Sequence, residues 1–350
     1  MIQLDDLGFP PDMLAALKHR EAHDCSLVEL PDMAFWNIRD ALKSPAQKAH
    51  IIDRAQTLAK GLKMSYDQKC EHAEKVIRFA LRKRVRWATS YSGGKDSHVL
   101  SHMQIYGLGL TGIPHVMSNT RMEYTESIRQ VAEWYAAIRP LGVPCHVVFP
   151  KERPKALWKR IGVPLWSKEL AYKYRKFSKS KNGEIPPSVP ESFREAFVKL
   201  KEAGLKVTEK CCQALKKDPM KAWDVLHGVR GHFTGLRSDE SRARRLMWIM
   251  KGSLYYSSEH DIWMCNPLSF WTAADIRRYL DDNQLHVHQP NTISGGSGCM
   301  TCMFGCASRA AEGTPNALQD LKIRNPKMYL TALDEWGYRA VLDLLEIPYE

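Results

Sequence analysis

The sequence predicts an α/β protein built on a doubly wound parallel sheet, with helices before it and a cysteine-bearing helical region after it. Three observations carry this. Short apolar, β-branched or aromatic runs alternate with stretches of helical periodicity, as buried parallel strands and their crossovers do. The first such run leads directly into a glycine turn and then a helix. The 350 residues are 44% hydrophobic and 26% charged, an ordinary globular balance long enough for a sizeable core without disulfides.

Residues 1–80 read as helices. Pro11–Ala22, Ala46–Lys60 and Gly61–Leu81 space apolar residues at three and four, which suits a packed N-terminal cap. Strands are expected at Val85–Tyr91, Pro114–Ser118, Pro144–Phe149, His232–Leu236 and Asp261–Asn266. Helices are expected at Thr125–Ile138 and, after Pro186, Pro187 and Pro190, at Glu191–Ala203. The domain reading is a helical region at 1–80, a nucleotide-type domain at 81–290 with a basic insertion at 151–190, and a cysteine motif with C-terminal helices at 291–350. No apolar run reaches the roughly 18–20 residues of a membrane span. The opening MIQLDDLGFPPDM lacks a secretory signal's basic and apolar regions. A cytoplasmic protein is expected, whose nine cysteines are thiols or metal ligands.

Ser92-Gly93-Gly94-Lys95-Asp96-Ser97 lies between a strand and a helix. Two glycines let the backbone approach an anion, and the helix start offers N–H groups and a positive dipole end. Ser92 and Ser97 add hydroxyls and Lys95 a charge. Asp96 would repel a bare phosphate, so its expected role is to hold Mg²⁺ on a pyrophosphate. The spacing is neither Walker A nor G-x-G-x-x-G.

Lys+Arg exceeds Asp+Glu by 12, which favours a polyanionic partner. The excess concentrates at 151–182, where basic residues interleave with Trp158, Trp166, Tyr172, Tyr174 and Phe177. That mixture suits phosphates and stacked bases. Cys299-x-x-Cys302-x-x-x-Cys306 follows Gly295-Gly296-Ser297-Gly298 and reads as metal binding, with zinc (His286 and His288 nearby) or iron–sulfur both open. Cys25, Cys70, Cys145 and Cys265 read as structural.

SGGKDS after such a strand resembles the phosphate loop of the PP-loop ATP-pyrophosphatase superfamily, which has the adenine nucleotide alpha hydrolase-like fold. These enzymes cleave ATP between the α and β phosphates and attach AMP to an acceptor. Lys210–Pro219 (KCCQALKKDP) resembles the tandem-cysteine segment of adenylylsulfate and phosphoadenylylsulfate (PAPS) reductases, with Leu215 where an arginine is usual. Gly235-Leu236-Arg237-Ser238-Asp239-Glu240-Ser241 and Pro267–Thr272 resemble two further elements of that family, the second opening a helix at Thr272. Asn119-Thr120 with Glu123 and Glu126 resembles its adenosine-side segment, with Arg121 in place of a glycine. The resemblance spans about 85–306 and excludes the N-terminal helices.

The resemblance implies that the loop holds the β and γ phosphates of ATP, that Asn119 and Thr120 contact the nucleoside, and that Arg237 clamps phosphate or sulfate. It implies a 4Fe–4S cluster on Cys211, Cys212, Cys299 and Cys302, with Cys306 as a substitute ligand or a sulfur-relaying thiol. The C-terminus, WGYRAVLDLLEIPYE, lacks the reductases' redox cysteine. The remaining parts resemble the DndC and SspD proteins of DNA phosphorothioation. This implies adenylation of a nucleic-acid acceptor, DNA before tRNA, with a cysteine desulfurase as sulfur donor. A homodimer is compatible with the sequence. The alternatives are a sulfonucleotide reductase, a tRNA-thiolating enzyme and a non-catalytic nucleic-acid-binding regulator.

Overall fold

The structure, a computed structural model, describes residues 45–180, 182–258, 260–288, 290 and 298–349. The expected helix at Pro11–Ala22, Cys25, and Gly295, Gly296 and Ser297 lie outside the described residues. In chain order, α1 (Pro45–Lys63), α2 (Tyr66–Leu81), β1 (Trp87–Ser90), α3 (Lys95–His102), β2 (His115–Ser118), α4 (Thr125–Ile138) and β3 (Cys145–Val148) come first. Then follow α5 (Pro154–Ile161), α6 (Lys168–Lys179), α7 (Glu191–Glu202), α8 (Asp218–His227), β4 (Gly231–Phe233) and α9 (Arg242–Lys251). The last are β5 (Leu254–Ser257), β6 (Ile262–Cys265), α10 (Ala273–Asp282), α11 (Cys306–Ala311), α12 (Ala317–Arg324), α13 (Pro326–Glu335) and α14 (Tyr338–Leu344).

Two compact units form from discontinuous segments. The first holds the described residues up to Met117, Gln130–His146 and Asp224–His288; the second holds Ser118–Arg129, Val147–Trp223 and the described residues after His288.

The fold class is α/β, as the alternation predicts. The six-stranded sheet has the order β3-β2-β1-β4-β6-β5. β1 pairs in parallel with β2 and β4, and β4 with β6. Strand order reverses beside β1, so the crevice at the carboxyl ends of β1 and β4 is where a ligand belongs. The edge strand β5 pairs antiparallel with β6, Tyr256 opposite Trp263. Sequence periodicity does not reveal it, because Leu254–Ser257 is short and mixed in polarity.

In the first unit's core, Trp87 and Phe233 stack at 4.5 Å beside Val99, Leu100, Trp271 and Ile276. The helix α2 starts at a capping box, Ser65 with Gln68, and packs Val76, Ile77 and Ala80 inward. Its buried Lys69 pairs with Asp275 at 2.7 Å, and Asp275 also closes the Thr272 capping box that starts α10. The N-terminal helices described here have a packing role.

In the second unit the 151–182 insertion departs from its sequence reading. Trp158, Trp166, Tyr174 and Phe177 are core residues, and only Tyr172 keeps its ring accessible, at 40%. For Tyr174 and Phe177 the cause is helical periodicity: α6 turns Ala171, Tyr174 and Phe177 inward at three-residue steps. These four aromatics therefore do not stack on bases.

Candidate active site

The first unit's site forms where the loop after β1 meets the segment after β4. Gly93 has φ +77°, a left-handed conformation that suits glycine. The loop ties itself shut: Ser97 Oγ donates to Gly94 O at 2.8 Å, and Ser92 N donates to Ser97 Oγ at 3.2 Å. The two serine hydroxyls, expected at phosphate, lie 3.1 Å apart within the turn. Gly94 is the N-cap of α3, so Lys95 and Asp96 stand in its first turn. A Cβ at Gly235 would lie 2.8 Å from the Asp96 carbonyl carbon and 2.9 Å from Ser97 N. Only glycine lets the two segments approach this closely.

Arg237, 6% exposed, donates from Nε to Asp96 Oδ1 at 3.0 Å and from Nη1 to Asp239 Oδ1. Asp239 Oδ2 also accepts from Ala273 N, the first helical residue of α10, at 3.0 Å. The expected clamp thus engages two carboxylates. Burial pushes the Asp96 carboxyl up, against the pull of Arg237 and Lys95. Burial and then the Asp96 charge push Glu240 up as well. These carboxylates are hard oxygen donors of the kind Mg²⁺ takes, but among the described residues no three of them converge as a formed metal site.

Sequence reasoning missed the parts played by Asp239 and His232, while Arg242, Arg244 and Arg245 are weaker anion-binding candidates in the sequence, where a helical surface cluster explains them as well. Asp239 holds Arg237 to α10. Arg245 buries Nε and Nη1 with no protein partner among the described residues, a cation that suits an anionic ligand. His232 bridges the end of β1 to α8: its Nδ1 lies 3.0 Å from Ser90 Oγ and its Nε2 2.7 Å from Asp224 Oδ1. No sequence pattern signals that last contact, because its members come from three elements.

The second unit gathers the thiols. Cys211, Cys212, Cys299 and Cys302 line one cavity of about 20 Å³ together with Met122, Trp158, Leu215 and Lys216. Cys306 is not among the lining residues; it is buried, with Sγ 3.6 Å from Cys302 O. The CxxC turn is held from several sides. Met300 N donates to Met122 O at 2.9 Å, and Tyr338 OH donates to Thr301 O while accepting from Trp158 Nε1, both at 2.7 Å. The tandem pair precedes a π-helical turn, Gln213–Lys217.

The pair shares its proton unevenly. The Cys211 thiol hydrogen-bonds to Cys212 and, with Lys168 and Lys216, lowers Cys212's pKa; Cys211 is correspondingly raised. Burial pushes Cys299 and Cys306 up to about 11 and raises Cys302. Among the described residues no three Cys, His, Asp or Glu groups converge as a formed metal site. The donor chemistry nevertheless fits a cluster: four thiols, apolar walls, and two lysines to offset thiolate charge.

Asn119 and Thr120 belong to the second unit. Thr120 is fully buried; its hydroxyl donates to Glu123 at 2.8 Å and lies 3.6 Å from Cys299 Sγ. Lys216 Nζ is 3.6 Å from the same Glu123. Arg121 has φ +67°, so the glycine-type turn persists without the glycine, secured by Asn119 Oδ1 on Arg121 N at 2.8 Å. His286 and His288, the alternative zinc donors, belong to the first unit, where His288 pairs with Glu133 at 2.7 Å. Cys265 is fully buried in the first unit's core.

Residues 185–289 match the phosphoadenosine phosphosulfate reductase domain. That stretch contains the tandem cysteines, the Arg237 segment and α10. The match covers less than a third of the chain. No curated protein is similar enough to count as a match. Three solved structures are similar over much of their length. PAPS reductase from Candida auris, in a phosphate complex, is 17% identical with TM-score 0.39, covering 69% of this chain and 88% of that one. Candida glabrata FMN adenylyltransferase, with FMN and the ATP analogue AMPCPP, is 11% identical with TM-score 0.39, covering 71% of each. The U34-tRNA thiolase NcsA from Methanococcus maripaludis, with its [4Fe-4S] cluster, is 14% identical with TM-score 0.40, covering 79% of each.

Proposed function

We propose that the protein is an ATP pyrophosphatase that adenylates a nucleic-acid acceptor, DNA before tRNA, for sulfur incorporation. The observation that carries the reading is the glycine loop at the strand-order switch, locked to the Asp96–Arg237–Asp239 cluster by the close approach of Gly235. In this reading the N–H groups of the loop and Lys95 bind the β and γ phosphates. Asp96, helped by Asp239 and Glu240, would hold Mg²⁺, which would supply charge neutralisation on the phosphates, and Arg237 is the cation placed to contact the anion. Arg245 supplies further positive charge.

An acceptor phosphate oxygen attacks the α phosphorus of ATP, and pyrophosphate leaves with the bonding pair. The terminal sulfur of a persulfide then attacks the acceptor phosphorus, and AMP leaves with the exchanged oxygen. A thiol reductant cleaves the remaining S–S bond, leaving sulfur on the acceptor and a disulfide as the oxidised product. A cysteine desulfurase fits as the persulfide source, as in the DndC and SspD systems. Cys211, Cys212, Cys299 and Cys302 would hold a 4Fe–4S cluster. Bound there, it would supply iron able to bind sulfur. Cys306 is then a buried thiol behind the ligand set.

Pyrophosphate release from ATP and Mg²⁺ by the anaerobically purified protein tests the reading, with Lys95→Ala and Asp96→Ala as inactive variants. The match at 185–289 supports a second reading, a sulfonucleotide reductase using an external thiol. Sulfite formation from adenylylsulfate without pyrophosphate release from ATP would favour it.

A further inference from the structure

A second concave site lies in the second unit, lined by six cations. The pocket of about 600 Å³ is walled by the end of α5, by α6 and by residues 201–210. Arg160, Arg175, Lys179, Lys201, Lys206 and Lys210 line it, and no Asp or Glu is among its described lining residues. Neighbouring carboxylates partly offset two of the cations, Glu152 on Arg160 at 2.6 Å and Glu209 on Arg175 at 2.7 Å.

Helix ends explain only part of this charge. Arg160, Lys179 and Lys201 sit in the last turns of α5, α6 and α7, where cations offset the helix dipole. Lys206 and Lys210 lie in the loop beyond α7, both exposed, where no such role applies. Arg175, which lines the pocket, also lies over the Tyr172 ring at 5.5 Å, and Lys176 flanks the same ring at 4.8 Å. Tyr172 is the accessible aromatic of the insertion, so an aromatic face stands beside the cations.

The pocket and the thiol cavity are lined by neighbouring residues of the same two segments. Trp158 of α5 lines the thiol cavity, while Arg160 and Ile161 line the basic pocket. Lys210 lines the basic pocket, while the next residue, Cys211, lines the thiol cavity. A chain of phosphates held by the cations would therefore run alongside the segment that carries the tandem cysteines.

We propose that this pocket binds the phosphodiester backbone of a single nucleic-acid strand and holds it beside the thiols. Its volume suits a nucleotide-sized segment rather than a duplex. Cations along the backbone with an aromatic face for a base are the usual means of holding single strands. The proposal rests on the nucleic-acid acceptor reading and gives that acceptor a place.

The test is fluorescence anisotropy of a labelled single-stranded DNA oligonucleotide over a salt series, using the full-length protein purified anaerobically. Lys179→Glu with Lys206→Glu should weaken binding at least tenfold and lower the salt slope by about 1.4, the share of two phosphate contacts on a single strand. Thermal unfolding and pyrophosphate release without oligonucleotide should be unchanged. Lys221→Glu with Lys327→Glu, which makes the same charge change away from the pocket, should alter affinity less than threefold. Equal weakening by both pairs, or none by the pocket pair, would overturn the proposal. So would tight binding of tripolyphosphate without oligonucleotide binding, which would assign the pocket to a free polyphosphate. Oligonucleotide binding through the pocket without pyrophosphate release would overturn the adenylation reading and leave the pocket standing.

Discussion

Gly235→Ala probes the junction of the phosphate loop and the Arg237 segment with a single methyl group. The added carbon would sit 2.8 Å from the Asp96 carbonyl carbon, 2.9 Å from its oxygen and 2.9 Å from Ser97 N. All three are backbone atoms, so no side chain can swing away. Either the loop or the 234–237 segment must move by several tenths of an ångström. Overpacking of this kind costs about 1–3 kcal/mol of stability. The same shift misplaces Asp96 and Arg237, and displacements approaching 1 Å cost about a hundredfold in rate. We therefore expect kcat/KM for pyrophosphate release to fall about ten- to a hundredfold, with unchanged secondary structure by circular dichroism. Gly112→Ala is the control, because nothing lies within 4 Å of a Cβ there and its φ is not left-handed. It should match the parent protein in both readouts. A fully active Gly235→Ala variant of normal stability would refute the claim that this contact aligns the site.

Other expectations address the chemistry around it. His72, His98 and His115 are pushed down to about 4 by burial, so the native state holds them neutral. Below pH 6.5 the unfolded chain protonates first, and each histidine removes about 1.4 kcal/mol of stability per pH unit until its folded pKa is reached. Urea midpoints should fall steeply from pH 6.5 to 4, and a flat profile would contradict the burial of these rings. Serine variants of Cys211, Cys212, Cys299 or Cys302 should lose iron and acid-labile sulfide, whereas Cys306→Ser should keep both; stoichiometric zinc instead of iron would defeat the cluster assignment. Tyr338→Phe leaves buried Trp158 Nε1 and Thr301 O without their shared partner. It should cost about 1–3 kcal/mol by chemical denaturation and loosen the CxxC turn.

Much of the fold was legible because parallel strands and their helices leave simple patterns. Thr125–Ile138 forms a helix with the bounds that its periodicity implies, and β1, β2, β3 and β6 fall inside their expected runs. β4 covers Gly231–Phe233, starting one residue before the run read as His232–Leu236 and ending three before its end, because Thr234–Arg237 leaves the sheet to meet the phosphate loop. The edge strand β5 escaped because antiparallel pairing depends on a partner the local sequence does not reveal. The insertion was misread for a related reason. Composition shows aromatics among lysines, but the three-residue spacing of Ala171, Tyr174 and Phe177 decides that the rings face the core. At the site, glycine spacing marks the loop, yet the ties of Arg237 to Asp96 and Asp239, and the Ser90–His232–Asp224 contact, join residues far apart in sequence. Local pattern cannot carry such pairings.

The most direct test of the account is the fate of ATP. The anaerobically purified protein, given ATP, Mg²⁺, a single-stranded oligonucleotide and a persulfide donor, should release pyrophosphate and AMP in equal amounts, and Asp96→Ala should release neither. Release of ADP and phosphate, or no turnover with acceptor and sulfur donor present, would contradict it.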